Sequence, residues 1–122
     1  MSKRVLIIER DDAVRAQARD ALTGSGLEVL DADVGRQGVY LAERRQPDAI
    51  LVGMDMPDID GLRILRELRA NPSTRDIPVI FLVDTDTPPP EGEGVAGAIA
   101  VPLDTAALPS QLQQLLEWRD GS

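Results

Sequence analysis

The sequence predicts an α/β domain in which five short parallel strands form a sheet with helices on both faces. Two patterns and the chain length carry that prediction. Apolar runs of strand length, rich in Val and Ile, show no polar alternation, as strands buried on both faces require. Between them lie segments whose apolar residues recur at helical spacing, which is the rhythm of strand–helix–strand units. The chain has 122 residues. That is one ordinary domain, read here as residues 1–122 without internal repeat or long linker.

Val5-Leu6-Ile7-Ile8 is the first strand. Asp11 and Asp12 follow it and can cap a helix. Val14, Ala18, Ala21 and Leu22 form that helix's apolar stripe, and Gly24-Ser25-Gly26 stops it. Leu27 to Ala32 reads as the second strand. Gly35 opens the next helix, through Val39 and Ala42, and Pro47 ends it. Ala49 to Val52 is the third strand. Met56-Pro57-Asp58-Ile59-Asp60-Gly61 is turn chemistry. Leu62, Ile64, Leu65 and Leu68 mark one face of a third helix, and Asn71-Pro72-Ser73 ends it. Pro78 to Val83 is the fourth strand and Ala98 to Val101 the fifth. Asp104 or Thr105 caps a last helix carrying Leu108, Leu112, Leu115 and Leu116.

The connection between the fourth and fifth strands breaks the rhythm. A crossover between parallel strands normally contains a helix. Pro88-Pro89-Pro90, with Gly92 and Gly94 close behind, forbids a regular one. An extended connection is expected, with the fourth helix absent or truncated and the sheet beneath it poorly covered. Apolar surface of that kind suits a partner.

Composition narrows the chemistry. There is no cysteine and no histidine. Disulfides, thiol nucleophiles, histidine-based triads and the usual zinc sites are therefore excluded. Lys3 is the one lysine beside twelve arginines, thirteen cations in all. Its place at the N-terminus excludes a P-loop or Schiff-base role. The net charge of -8 argues against a nucleic-acid surface. The four-residue apolar run at the N-terminus is too short for a signal peptide or membrane span. A cytoplasmic domain without membrane contact is expected.

The ordered motifs resemble the receiver domain of two-component response regulators over nearly the whole chain. Val5 to Glu9 is similar to the family's first strand and its acidic end. Gly35, Gly38, Val39, Ala42, Pro47 and Asp48 match its second helix and the approach to its third strand. Met56-Pro57 followed by Asp60-Gly61 matches the loop after the phosphorylation site. Ile77-Pro78-Val79-Ile80 matches the fourth strand, and Pro102 the proline after the active-site lysine. The resemblance implies a flavodoxin-like doubly wound sheet, order 2-1-3-4-5. It also implies a site at the carboxyl ends of the strands. There, carboxylates hold a divalent cation, an aspartate accepts a phosphoryl group, and a hydroxyl and a lysine bind its oxygens.

This sequence departs from the family at those positions. The acidic pair stands as Glu9-Arg10. The acceptor position, four residues before Pro57, is Gly53. The hydroxyl position is Val83 and the lysine position Val101. The resemblance thus implies a pseudo-receiver without phosphotransfer catalysis, not an enzyme, with Mg²⁺ binding lost or weak. Arg10 is read as an ion-pair partner of Glu9, Asp11 or Asp55 that replaces the metal's charge. Binding of an anion by Arg10 is the sharper alternative. Asp55 and Asp11 are the candidates for a displaced acceptor. Convergence of Glu9, Asp11 and Asp55 would leave a weak Mg²⁺ site. Gly53, Val83 and Val101 would make an apolar pocket floor, read as core packing or as a site for a small apolar or planar ligand such as a quinone.

Three further features concern surfaces. Arg63, Arg66 and Arg69 stand at helical spacing, as a solvated face or a basic docking strip. Trp118 closes the core's edge or marks an interface. Pro88, Pro89, Pro90, Val101, Pro102 and Trp118 outline the expected contact surface. The expected function is a phosphorylation-independent protein-interaction module in signalling. It would bind a protein partner and possess a surface for homodimerisation. The alternatives are a receiver phosphorylated at Asp55 and a ligand-sensing pseudo-receiver.

Overall fold

The elements run β1 (Arg4–Ile8), α1 (Asp12–Gly24), β2 (Glu28–Ala32), α2 (Gly35–Arg45), β3 (Ala49–Gly53), α3 (Gly61–Ala70), β4 (Val79–Asp84), β5 (Val95–Val101) and α4 (Leu108–Leu116). The structure, a computed structural model, describes residues 3–84, 88, 90–92 and 94–118. All strand pairs are parallel and the order is β2-β1-β3-β4-β5. This is the doubly wound order expected.

Strand alternation divides the core in two. Leu6, Ile8, Ile50, Val52, Val79 and Phe81 face α2 and α3. Val5, Ile7, Leu51, Ile80 and Leu82 face α1 and α4. Both sheet faces are thus dry over β1, β3 and β4, which is why those strands read as unbroken apolar runs. Gly38 lets α2 lie close on β1, since a Cβ there would collide with the Ile8 side chain.

The helix starts follow cap chemistry. Asp11 accepts from Ala13 N at 2.9 Å and Val14 N at 3.1 Å to open α1. Asp60 accepts from Arg63 N at 2.8 Å to open α3. The α2 N-cap is Val34, which has no acceptor of its own. Asp58, from the loop after β3, replaces it by accepting from Gly35 N at 2.8 Å and Arg36 N at 2.9 Å.

Several expectations need correction. Leu62 does not belong to the buried face of α3, being 44% exposed. The last helix opens at Leu108. Asp104 instead heads the preceding turn, where its carboxylate accepts from Ala107 N at 3.2 Å. β5 starts at Val95, three residues before Ala98, because Val79 N donates to Gly94 O at 2.9 Å and brings Val95 beside Val79.

The sheet beneath the proline run is better covered than expected. Val79 and Phe81 are fully buried. The described residues of the connection, Pro88, Pro90, Glu91, Gly92 and Gly94, are not helical. Pro89 lies outside the described residues. The described end of the connection, at Gly92 and Gly94, instead acts as a strap over α3. A Cβ on Gly92 would sit 3.4 Å from Leu65 Cδ2. The Arg69 guanidinium donates to Gly94 O at 3.1 Å and to Ile77 O at 2.9 Å. β5 keeps an open stretch on that face, where Ala98 is half-buried and Ala100 exposed. Among the described residues, no helix is long and apolar enough to cross a membrane.

Candidate functional site

The carboxyl ends of β1, β3, β4 and β5 surround a cleft of about 410 Å³. Charged groups form its rim: Glu9, Arg10, Asp11, Asp55 and Asp84. Val14, Met54, Leu82, Val83 and Val101 form its floor. Parallel strands end together here, so residues far apart in sequence meet without any loop having to fold back.

Glu9 follows β1 directly. Its Oε2 accepts from Asp11 N at 2.9 Å. The same carboxylate lies over Gly53, the last residue of β3. A Cβ on Gly53 would stand 2.6 Å from Glu9 Oε1 and 3.1 Å from Glu9 Cδ. The space that a side chain at position 53 would enter is therefore taken by a carboxylate from the neighbouring strand.

Arg10 reaches across the rim to Asp55, Nη1 to Oδ2 at 3.4 Å. Of the three partners expected for Arg10, Asp55 is the one it pairs with. Asp55 lies past the end of β3 and its side chain is 94% exposed. Asp11 spends Oδ1 on the α1 amides. Glu9, Asp11 and Asp55 thus border one cleft but do not converge. Among the described residues, no group of three carboxylates could hold a metal ion. A hard cation such as Mg²⁺ is held by one or two free carboxylates with waters completing its shell. Here Glu9 and Asp11 accept from backbone amides and Asp55 faces the Arg10 guanidinium, so the residues present do not fit one.

The floor is apolar because β4 and β5 end in valines. Val83 is 7% exposed and packs with the α2–α3 core. Val101 packs on the α1–α4 side, and its peptide bond to Pro102 is cis. Asp84, paired in register with Val101, is a rim residue that the sequence reading passed over. Its signal was its place directly after Val83 at a strand's carboxyl end.

The other named residues lie away from the cleft. Pro88 and Pro102 are exposed and Pro90 is half-buried. Trp118 is half-buried against the α1–α4 core, with the Lys3 ammonium 5.5 Å from its ring centre. Arg63 and Arg66 are exposed, but Arg69 does not join them in a docking strip. Its guanidinium is turned onto the carbonyls of Thr74, Ile77 and Gly94.

A single sheet in the order 2-1-3-4-5, with a cleft where its central strands end, defines an α/β domain of the receiver class. The response regulator receiver domain profile matches residues 5–100, and the chain belongs to that family. It is 34% identical over 116 residues to the response regulator MprA of Mycolicibacterium vanbaalenii, covering 95% of this chain and 48% of that protein. The chain thus spans about half the length of the curated relatives it matches. The receiver domain of the sensor histidine kinase PA1611 from Pseudomonas aeruginosa superposes with a TM-score of 0.83 at 27% identity, over 96% of this chain and 99% of that one. That domain is described with a magnesium ion in its active-site cleft. The chemotaxis response regulator CheY4 of Vibrio cholerae shares the fold, with a TM-score of 0.86 at 23% identity over 94% and 99% of the two chains.

Proposed function

We propose that this receiver domain is a phosphorylation-independent interaction module of two-component signalling. The observation that carries the reading is the Glu9 carboxylate lying against Gly53. Position 53 offers no nucleophile, and a carboxylate already fills the space beside it. Val83 and Val101 offer neither a hydroxyl nor an ammonium group for phosphoryl oxygens. A phosphoryl group arriving here would meet a rim of carboxylates and a dry floor, an unfavourable place for added negative charge.

Signalling would then pass through contact with a protein partner rather than through an acyl phosphate. The proposed contact surface is the β5 side, with exposed Ala100 and Pro102, bordered by Pro88, Pro90 and Val101. Small side chains on an edge strand leave its backbone accessible to a partner or a second copy.

The test is an NMR titration of the domain with Mg²⁺ and beryllofluoride, a mimic of the acyl phosphate, beside incubation with acetyl phosphate. The expected result is no saturable shift at Glu9, Arg10, Gly53 or Asp55, and no acid-stable mass gain or acid-labile phosphate. Saturable shifts there that spread to α4, or phosphate on Asp55 or Asp11, would overturn the reading.

The apolar floor favours one second reading, a small apolar or planar ligand seated on Val83 and Val101. A cleft of about 410 Å³ falls within the usual range for small-molecule sites. Resonances of Val83 and Val101 that stay fixed across a panel of such compounds, quinones included, would remove it.

A further inference from the structure

The following rests on the proposed loss of phosphotransfer and concerns the cation that normally accompanies it. We propose that Arg10 is a tethered counter-ion that takes the place of a divalent cation in the cleft and closes the cleft to metal. Four carboxylates line the rim: Glu9, Asp11, Asp55 and Asp84. Carboxylates gathered at one site repel, and a nearby positive charge relieves them. Arg10 is the cation that the lining supplies.

Its placement is specific. Arg10 stands between β1 and α1, and it bridges to Asp55 in the loop after β3. It therefore ties together the two loops that a cation shared between the ends of β1 and β3 would tie. A guanidinium keeps its charge at any physiological pH. Being part of the chain, it needs no free metal and its local concentration does not fall.

The carboxylates are arranged to match. Asp11 is committed to the amides of α1, and Glu9 to the amide of Asp11. Asp55 is left for Arg10. No three of them remain together for a metal. The ion pair is exposed, so it adds little to stability by itself. Its effect is to set the rim's charge and the spacing of two loops.

The experiment compares the wild-type domain with R10Q and R10D, in EDTA and in MgCl₂ at constant ionic strength. Thermal melting and amide shifts are read together. The wild-type domain should melt at the same temperature in both buffers, without saturable shifts at Glu9, Asp11 or Asp55. R10Q removes the charge that keeps metal out and releases Asp55, so it should gain a weaker but saturable Mg²⁺ response at Glu9 and Asp55. R10D replaces the tethered cation by a fifth carboxylate. It should melt lowest in EDTA, and Mg²⁺ should raise its melting temperature by several degrees with saturable shifts at Glu9 and Asp55.

A merely structural arginine would leave R10Q as indifferent to Mg²⁺ as the wild type, and that result would overturn the proposal. So would saturable Mg²⁺ shifts at those residues in the wild-type domain. A wild-type domain that takes Mg²⁺ but no phosphate sinks this inference alone. Phosphate on Asp55 or Asp11 sinks the functional reading beneath it.

Discussion

The Glu9 carboxylate rests on Gly53, with Oε1 2.6 Å from where a Cβ at position 53 would stand. The two residues end adjacent strands, and each explains the other. A side chain at 53 would have to displace Glu9, and Glu9 gains its place from the missing side chain. Position 53 is therefore not simply vacant.

Gly53→Asp should accordingly fail to restore phosphorylation. The new carboxylate would meet that of Glu9, and two like charges about 4 Å apart in solvent cost roughly 1 kcal/mol. Urea unfolding should show G53D destabilised by about that amount, with part of the loss recovered in E9Q/G53D. A G53D domain that takes up phosphate from acetyl phosphate would show that the missing aspartate is the sole defect. In that case the loss of the other groups would be irrelevant.

Asp58 should carry a pH-dependent share of stability. Desolvation pushes its carboxyl upward, but the backbone N–H groups of Arg36, Gly35 and Ile59 outweigh that and hold it below its usual value. The unfolded chain, with a carboxyl pKa of about 3.9, then binds the proton more readily than the native one. Stability from this group is full above that value and is lost as pH falls through the lower native pKa. Asp58→Ala removes the cap of α2 and should cost about 1 kcal/mol at pH 7. The gap between wild type and variant should narrow below about pH 4. A gap that stays constant from pH 7 to pH 3 would mean the carboxylate's charge plays no part.

How much of this was legible depended on distance in sequence. Val5 to Ile8 and Ala49 to Val52 announced themselves, because a strand buried on both faces admits only apolar residues. Asp11 was readable as a cap because its targets are its immediate neighbours. Asp58 was hidden, since its targets, Gly35 and Arg36, lie more than twenty positions away. The same holds for the site. The family resemblance singled out positions 9, 10, 53, 83 and 101 as expected departures from the family's pattern. The choice of Asp55 as partner for Arg10, and the lie of Glu9 over Gly53, required the strands' registers. Arg69 misled because helical spacing alone cannot tell a solvated arginine from one turned onto carbonyls.

That arginine gives the next expectation. Its guanidinium ties Gly94 to Ile77 and Thr74, holding the proline connection against α3. Charge-assisted bonds to carbonyls of this kind are worth about 1.5–3 kcal/mol together with their desolvation costs. Arg69→Met keeps the apolar stem and removes the donors. It should cost about 2 kcal/mol and raise hydrogen exchange at Val79 and Val95, where β5 pairing begins. Unchanged exchange at those two amides would show that the strap holds without Arg69.

Trp118 separates a core role from an interface role. It is the chain's one tryptophan, packs against the α1–α4 core and has the Lys3 ammonium over its ring at 5.5 Å. A half-buried aromatic that packs on the core and carries an intrachain cation at its ring has much of its surface already taken. Trp118→Leu should therefore cost stability while leaving the sedimentation coefficient unchanged at every concentration. Lys3→Ala should cost less, about 0.5–1 kcal/mol, because a partly exposed cation–π contact is worth no more. In a double-mutant cycle the two should couple, since removing the ring leaves the ammonium nothing to lose. If W118L instead shifts a dimer toward monomer without lowering the melting temperature of the dilute protein, Trp118 belongs to the interface. The contact surface on β5 would then extend around the end of α4.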